Sequence, residues 1–254
     1  MGRAVPAVAR ALDILELFLD LPEASAPEIT ERLGLPRTTV HELVTTLAAR
    51  SYLVPVPGQP TRYRLGMRVF LLGSSYAEQL DLAREAQEVA GQVAAACDET
   101  VHVALLEGTD VVYIAKVDST HPVRMVSAVG RRLPAHCTGV GKMLLSASSP
   151  EALDARYPRD RDLPAMTPRS ITSPTRLRTH LAEVRKAGIA YDNCESNDAV
   201  QCVAAPVYDR TGTMVAAMSI SVPTIRWDRQ RRTEWTKLVR EGAATLSRRL
   251  GGRA

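Results

Sequence analysis

Residues 25–66 read SAPEITERLGLPRTTVHELVTTLAARSYLVPVPGQPTRYRLG, and the punctuation in this stretch orders its elements. Ser25 followed three residues later by Glu28 is a capping-box pattern, in which each side chain serves the other's backbone amide. It predicts a short helix from about Pro27 to Leu33, and Gly34 ends it because glycine takes the left-handed cap without a Cβ penalty. Pro36 then stands where a first helical turn tolerates proline. Val40, Leu43, Val44 and Leu47 follow at i, i+3, i+4, i+7 spacing, which predicts a second helix over 37–49. After it, YLVPV and RYRLG flank the turn PVPGQP and read as two short strands. Upstream, Val8, Leu12, Leu15 and Leu19 step by four, three and four with Ala11 and Phe18 beside them, so residues 5–20 form a further helix. Helix, short helix, tight turn, helix and hairpin make a winged helix-turn-helix domain over residues 1–66.

The rest of the chain has another rhythm. Residues 67–96 are helical in pattern, divided between a linker and dimerisation helix over 67–82 and the start of a second domain over 83–254. TVHVALLEG and VVYIAKVDS flank a Gly-Thr-Asp turn, a hairpin signal, and PVRMVSAVG reads as a third strand. The loop RRLPAHCTGVGK opens a helix over 139–147, and Pro150–Tyr157 reads as another. Ser173-Pro174 begins a charged helix that ends at Gly188. Strands are expected at Ile189–Asn193, Gln201–Tyr208 and Met214–Val222, and a basic amphipathic helix closes the chain. The fold class is therefore α+β, with helices packed on an antiparallel sheet in the second domain.

Composition narrows the class. A chain of 254 residues with 45% hydrophobic and 24% charged residues has material for two ordinary domains and is not a disordered type. No apolar run reaches the ~20 residues a membrane span needs. Arg10, Asp13, Glu16 and Asp20 interrupt the N-terminal stretch, which is thus no signal-peptide core, and a cytoplasmic location is expected. Cys97, Cys137, Cys194 and Cys202 lack paired spacing and read as reduced thiols. The net charge is +4, but it is unevenly spread. Residues 1–66 hold seven arginines and seven acids, whereas the last thirty hold nine bases against three acids. Bulk basicity does not mark the leading segment, so its role must come from pattern.

In a helix-turn-helix the start of the second helix enters the major groove of DNA. Arg37, Thr38, Thr39 and His41 would donate there to phosphates or base edges, and Glu42 would accept from a cytosine amino group. Arg62 and Arg64 alternate with Tyr63 on the wing and suit backbone or minor-groove contact, as does Arg3 on the N-terminal arm. Winged helices also serve as protein-binding scaffolds; DNA binding without the expected salt dependence would favour that reading.

Catalytic and metal readings find little here. TGVGK lacks the glycine five residues before Gly141, where His136 stands, and the Ser or Thr after Lys142 that a phosphate loop requires. Adjacent His136 and Cys137 point to opposite sides of an extended segment and form no dyad. His102, His136, Cys137, Cys194 and Cys202 have no recognised metal-ligand spacing. No catalytic residue, metal or cofactor is assigned. The alternative of a hydrolase or lyase with an accessory winged domain would need turnover of a candidate ligand.

GIAYDNCESNDAVQCVAAPVYD, residues 188–209, resembles the signature of the IclR-type (isocitrate lyase regulator type) bacterial transcriptional regulators. The shared positions are Gly188, Asp192, Glu195, Cys202, Val203, Ala204, Val207, Tyr208 and Asp209. LPAHCTGVGKMLL, residues 133–145, looks like the same family's effector loop, and residues 5–66 like its winged domain. Glu42 departs from the basic residue many members carry, which leaves the operator sequence open. The resemblance implies a GAF-like effector domain that binds a small, carboxylate-bearing or aromatic metabolite. It points to Met125, Leu133, Thr138, Gly139, Asp192, Val200, Cys202, Ser219 and Ser221. These make physical sense: Ser219 and Ser221 share a strand face with Ala217 and Val215, and Val200 and Cys202 share another. Glycine at the start of the 139–147 helix would let an anion approach free amides, and Met125 with Leu133 would give an apolar wall. Asp192 could instead cap a turn. The expected protein is a repressor of a catabolic operon that grips a pseudo-palindromic operator as a dimer or dimer of dimers. Its partners are double-stranded DNA, a small effector and its own copies, with no membrane.

Overall fold

A computed structural model describes residues 5–79, 81–125 and 127–252, so Arg3 lies outside the described residues. The chain forms two compact units, Met1–Gln79 and Leu80–Ala254. In the first unit, α1 (Pro6–Leu17) precedes β1 (Ala24–Ser25), α2 (Ala26–Leu33), α3 (Arg37–Ala49), β2 (Leu53–Val56), β3 (Gln59–Leu65) and α4 (Met67–Gln79). The local signals act as chemistry requires. Ser25 Oγ accepts the Glu28 amide at 3.4 Å while the Glu28 carboxylate accepts the Ser25 amide at 2.7 Å, and Gly34 ends α2 at φ 63°.

Val40, Val44 and Leu47 bury the inner face of α3 against Ile14, Phe18, Ile29 and Leu53. The stripe that reveals α1, however, is not the one the unit buries. Ile14 and Phe18 are 0% and 6% exposed, whereas Val8, Leu12 and Leu19 are 57%, 52% and 71% exposed. Two apolar stripes share this helix, and the core takes the one carrying the aromatic ring. The two-residue β1 pairs with β3, Ala24 opposite Tyr63 and Ser25 opposite Arg62. It was invisible in the sequence because two residues carry no alternation.

The second unit runs α5 (Asp81–Cys97), β4 (Thr100–Glu107), β5 (Asp110–Val117), β6 (Arg132–Pro134), α6 (Gly139–Ser146), α7 (Pro150–Arg156), α8 (Pro174–Ala187), β7 (Ala190–Asn193), β8 (Val200–Tyr208), β9 (Met214–Pro223) and α9 (Arg229–Arg249). Its strands form one antiparallel sheet in the order β6-β5-β4-β9-β8-β7. Along each strand alternate residues serve opposite faces. Val103, Val203, Met218 and Ile220 pack with Val89 and Val93 of α5 and with Trp235 and Val239 of α9. Ala104, Tyr113, Ala204 and Ala217 face Val140, Met143 and Leu144 of α6 and Leu177 and Leu181 of α8.

The third strand expected at 122–130 is not formed among the described residues of that stretch. Pairing with β5 begins only past Gly130, whose φ of 82° and N–H to Tyr113 O bond at 2.8 Å turn the chain in beside β5. Leu133 then stands opposite Val111. Val123 and Val129 favour a strand but form none, since propensity alone does not make a sheet.

Candidate operator-reading and effector sites

The N-terminus of α3 is open. Pro36 precedes it without a side-chain cap, and Val40 is the first residue whose amide turns back, to Pro36 O at 3.0 Å. The amides of the first turn therefore face outward with the positive end of the helix. Arg37, Thr38, His41, Glu42 and Thr45 are exposed and Thr39 half-buried, which sets a polar row opposite the buried Val40–Val44–Leu47 face. By contrast α2, α6, α7, α8 and α9 are capped by Ser25, Thr138, Ser149, Ser173 and Asp228. Of the wing pair, Arg64 is exposed. Arg62 has turned inward instead. Its guanidinium pairs with Glu23 at 3.0 Å and Glu28 at 3.1 Å, tying β3 to the start of α2. The alternation placed both arginines on one side, but two carboxylates brought from residues 23 and 28 hold one of them.

In the second unit the strand register builds two polar rows on the α6 side of the sheet. Asp192 stands opposite Cys202, Cys202 opposite Ser221 and Ser221 opposite Thr100. Two residues along, Ala204 stands opposite Ser219, Ser219 opposite His102 and His102 opposite Lys116. Of the residues named from sequence, Asp192, Cys202, Ser219 and Ser221 thus converge, with Val200 one rung further and opposite Pro223. All five are buried. Gly139 places the start of α6 on this floor: a Cβ there would sit 3.5 Å from the Ala204 Cβ and 3.6 Å from the Cys202 Cβ. Its bare side meets the sheet and not open space, which corrects the reading of it as a landing place for a ligand. Gly141 is the stricter glycine, since a Cβ would fall 2.2 Å from Ala135 O. Thr138 caps α6 through the Gly141 amide at 3.1 Å. Leu133 packs into the helix-covered core beside Tyr113 and Val140, and Met125 is half-buried two residues before Ser127.

Sequence reasoning weighed His102 only as a metal ligand and missed that it organises the floor. His102, fully buried, stacks on Tyr113 with ring centroids 4.4 Å apart. One ring nitrogen meets Ser127 Oγ at 2.6 Å and the other Ser221 Oγ at 3.2 Å. Burial lowers its pKa to about 3, so it is neutral, and one serine must donate while the other accepts. Cys202 Sγ donates to Ser221 Oγ at 3.3 Å, and burial holds that thiol un-ionised. The Thr100 hydroxyl is buried without a partner among the described residues. An ionisable residue two places from Thr100 in the otherwise apolar TVHVALL was the available signal for His102; Ser127 carried none.

Asp192 does what a turn residue does. Oδ1 accepts the Glu195 amide and Oδ2 the Ser196 hydroxyl, each at 2.6 Å. Burial pushes its carboxyl up to about 6. Behind it Lys142 Nζ, fully buried, pairs with Glu195 Oε1 and ties α6 to the connection after β7. Among the described residues no cluster of His, Cys, Asp and Glu could hold a metal, and no helix is long and apolar enough to cross a membrane.

Known proteins share both halves of this arrangement. Residues 7–57 match the IclR helix-turn-helix domain and residues 74–248 the bacterial transcriptional regulator IclR C-terminal domain. The HTH-type transcriptional regulator KdgR of Escherichia coli is 31% identical over 253 residues, 98% of this chain and 94% of that protein. The transcriptional repressor IclR of the same species is 31% identical over 98% of this chain and 91% of its own. An IclR homologue from Microbacterium hydrocarbonoxydans, solved in complex with 4-hydroxybenzoate, superposes with a TM-score of 0.84 at 26% identity, covering 96% of this chain and 98% of that one. A transcriptional regulator from Alicyclobacillus acidocaldarius gives 0.84 at 27% identity over 98% and 100%. With both domains matched in order along nearly its whole length, the chain belongs to the IclR family of bacterial transcriptional regulators: it is a DNA-binding, effector-responsive regulator.

Proposed function

We propose that the chain represses a catabolic operon by gripping a pseudo-palindromic operator as a dimer or dimer of dimers. The carrying observation is the uncapped, solvent-facing start of α3, where free amides, Arg37, Thr38 and Thr39 offer donors to phosphate and base edges, with His41 and Glu42 reading beside them. Arg64 is the wing contact of this reading, and Arg62 supports it by holding the wing in place. Two recognition helices about 34 Å apart would meet successive major grooves.

Self-association is supported by apolar surface left outside the first unit. On α1 and the residues flanking it, Val5, Val8, Leu12 and Leu19 are more than half exposed, and on α4 so are Met67, Phe70, Leu71 and Leu72. A monomer in water does not leave two such stripes open without a partner. Residues 67–82 act in this reading as the linker and dimerisation helix between a DNA-binding domain over 1–66 and an effector domain over 83–254.

The effector binds over the Ser219–Ser221–Cys202 floor, below Thr138, with Met125 contributing from the segment that ends in Ser127. Stacked His102 and Tyr113 suit an aromatic ring, and hydroxyls with a neutral imidazole suit hydroxyl or carboxyl oxygens. A hydroxylated aromatic acid is the first compound to try. Binding alters operator affinity only by favouring one arrangement of the dimer over another. A gel shift on the chain's own upstream promoter fragment, at low salt and with and without 4-hydroxybenzoate, tests the whole reading. A retained fragment released by ligand is expected; no retention in any ligand state overturns it.

A further inference from the structure

The geometry points to a second small-molecule site in the effector domain, at the opposite end of α6 from the serine floor, built for a monocarboxylate with an apolar body. A cavity of about 670 Å³ opens where α6 stops short of the ends of β4 and β9, a size within the range that ligand sites occupy. Its walls include Leu105 and Leu106 of β4, Met143 of α6, and Met214 and Val215 of β9. The two sites cannot be one. Helix α6 separates them by about 10 Å of its own length, and Val215 lies about 13 Å along β9 from Ser219.

Arg185 of α8 sets the charge. Its Nε donates to Ser146 O and its Nη2 to Ser148 O at 2.8 Å, so the guanidinium is held across the end of α6 at the cavity rim. Both partners are carbonyls at the C-terminal end of α6, whose partial negative charge orients the cation and offsets part of it; among the described residues no carboxylate pairs with Arg185. A smaller groove of about 210 Å³ continues on its far side, sharing Arg185 and Ser148 and adding Arg159 and Arg178 over Leu153 and Leu181. Those two arginines share a single carboxylate, Asp154. Asp209, next to Tyr208 on the opposite wall, has its carboxylate taken up by Thr211 and Thr213 of its own turn. Three guanidiniums therefore stand beside two carboxylates, Asp154 and Asp209, along an apolar trough. A pre-positioned cation beside apolar walls binds an amphipathic anion at little further ordering cost.

Octanoate, with 1-octanol as its neutral counterpart, is the probe for the full-length protein. Methyl NMR of labelled methionines reads the place: Met143 and Met214 line this cavity, and Met125 belongs to the effector site proposed above. Octanoate is expected to shift Met143 and Met214 and leave Met125 unmoved, with 1-octanol binding at least tenfold more weakly. Arg185→Gln should weaken octanoate at least tenfold. Because that change also removes a cap from α6, Leu106→Trp, which fills the cavity, serves as the second variant and should abolish the shifts. Operator retention in a gel is read in parallel, so failure of the family-level reading and failure of this site are separable. The proposal is overturned by octanoate shifts at Met125, by no response up to millimolar octanoate, by octanoate affinity equal to that of 1-octanol, or by insensitivity to both variants. It is overturned equally by Met143 and Met214 shifts that follow protein concentration instead of octanoate, the sign of a second copy seated in the trough.

Discussion

The starts of α3 and α6 are the same chemical object placed in opposite surroundings. Each is a helix N-terminus with outward-pointing amides and a positive dipole end. That of α3 has no cap and faces solvent; that of α6 is capped by Thr138 and buried against Cys202 and Ala204. An open terminus can meet a large external polyanion such as a duplex, whereas a buried, capped one can only shape an internal site. Function here follows from what surrounds the helix end and not from the helix end itself.

The sharpest way to break the contrast is to empty the interior behind α6. Lys142→Ala leaves the Glu195 carboxylate buried without its cation, and removing one partner of a buried pair costs roughly 3–5 kcal/mol. Urea unfolding should show that loss in the effector domain, while the solvent-facing start of α3 has no buried ion pair to lose. Lys142→Met at full stability would mean the pair contributes nothing net.

Next in size is the pH response of Asp192. Burial raises its pKa from 3.8 to about 6, so the native state holds this proton more tightly than the unfolded chain does. Its stabilising contribution is complete below about pH 4 and is lost as pH rises through 6, a difference on the order of 3 kcal/mol by neutral pH. Asp192→Asn keeps an acceptor for the Glu195 amide and should be more stable than the parent at pH 7, with the gap closing by pH 4. His102, lowered to about 3 by burial, acts with the opposite sign between pH 3 and 6.5; the difference between variant and parent, not the parent curve, isolates Asp192. A gap unchanged with pH would refute the assignment.

On the open terminus, Arg37→Ala with Thr39→Ala should weaken operator binding by about 1–3 kcal/mol and flatten its salt dependence by about one unit of slope, with effector affinity untouched. Equal loss of both would erase the distinction between the two helix ends. The smallest effect belongs to the floor: Ser219→Ala with Ser221→Ala removes one of His102's two partners and should lower effector affinity by about 1 kcal/mol per lost hydrogen bond, measured by calorimetry, with operator binding preserved in the absence of ligand.

Much of this was legible in residue order, for a plain reason: caps, turns and helical stripes act over three or four residues. Ser25 and Glu28 close the capping box their spacing announces, Gly34 and Gly188 end their helices with φ near 60°, and α3 spans the residues its apolar quartet marked. The convergence of Asp192, Cys202, Ser219 and Ser221 was legible as well, through a family resemblance joined to strand alternation. What went astray had distant causes. Arg62 left the wing face because Glu23 and Glu28, thirty-nine and thirty-four residues away, hold it. His102 was weighed only as a metal ligand, and its place in the floor was hidden because Ser127 and Ser221 lie twenty-five and 119 residues off.

From its amino acids alone the chain specified where helices begin and end, which strands alternate, and that a winged helix-turn-helix precedes an α+β domain, since each of these depends on neighbours along the backbone; that the second domain is a sensor came from the family resemblance. Tertiary structure decided which of two apolar stripes on α1 is buried, that β6 starts only past Gly130, and which polar groups face one another across the sheet. Those choices rest on the edges, carboxylates and rings that folding brings alongside, and spacing in sequence carries no record of them.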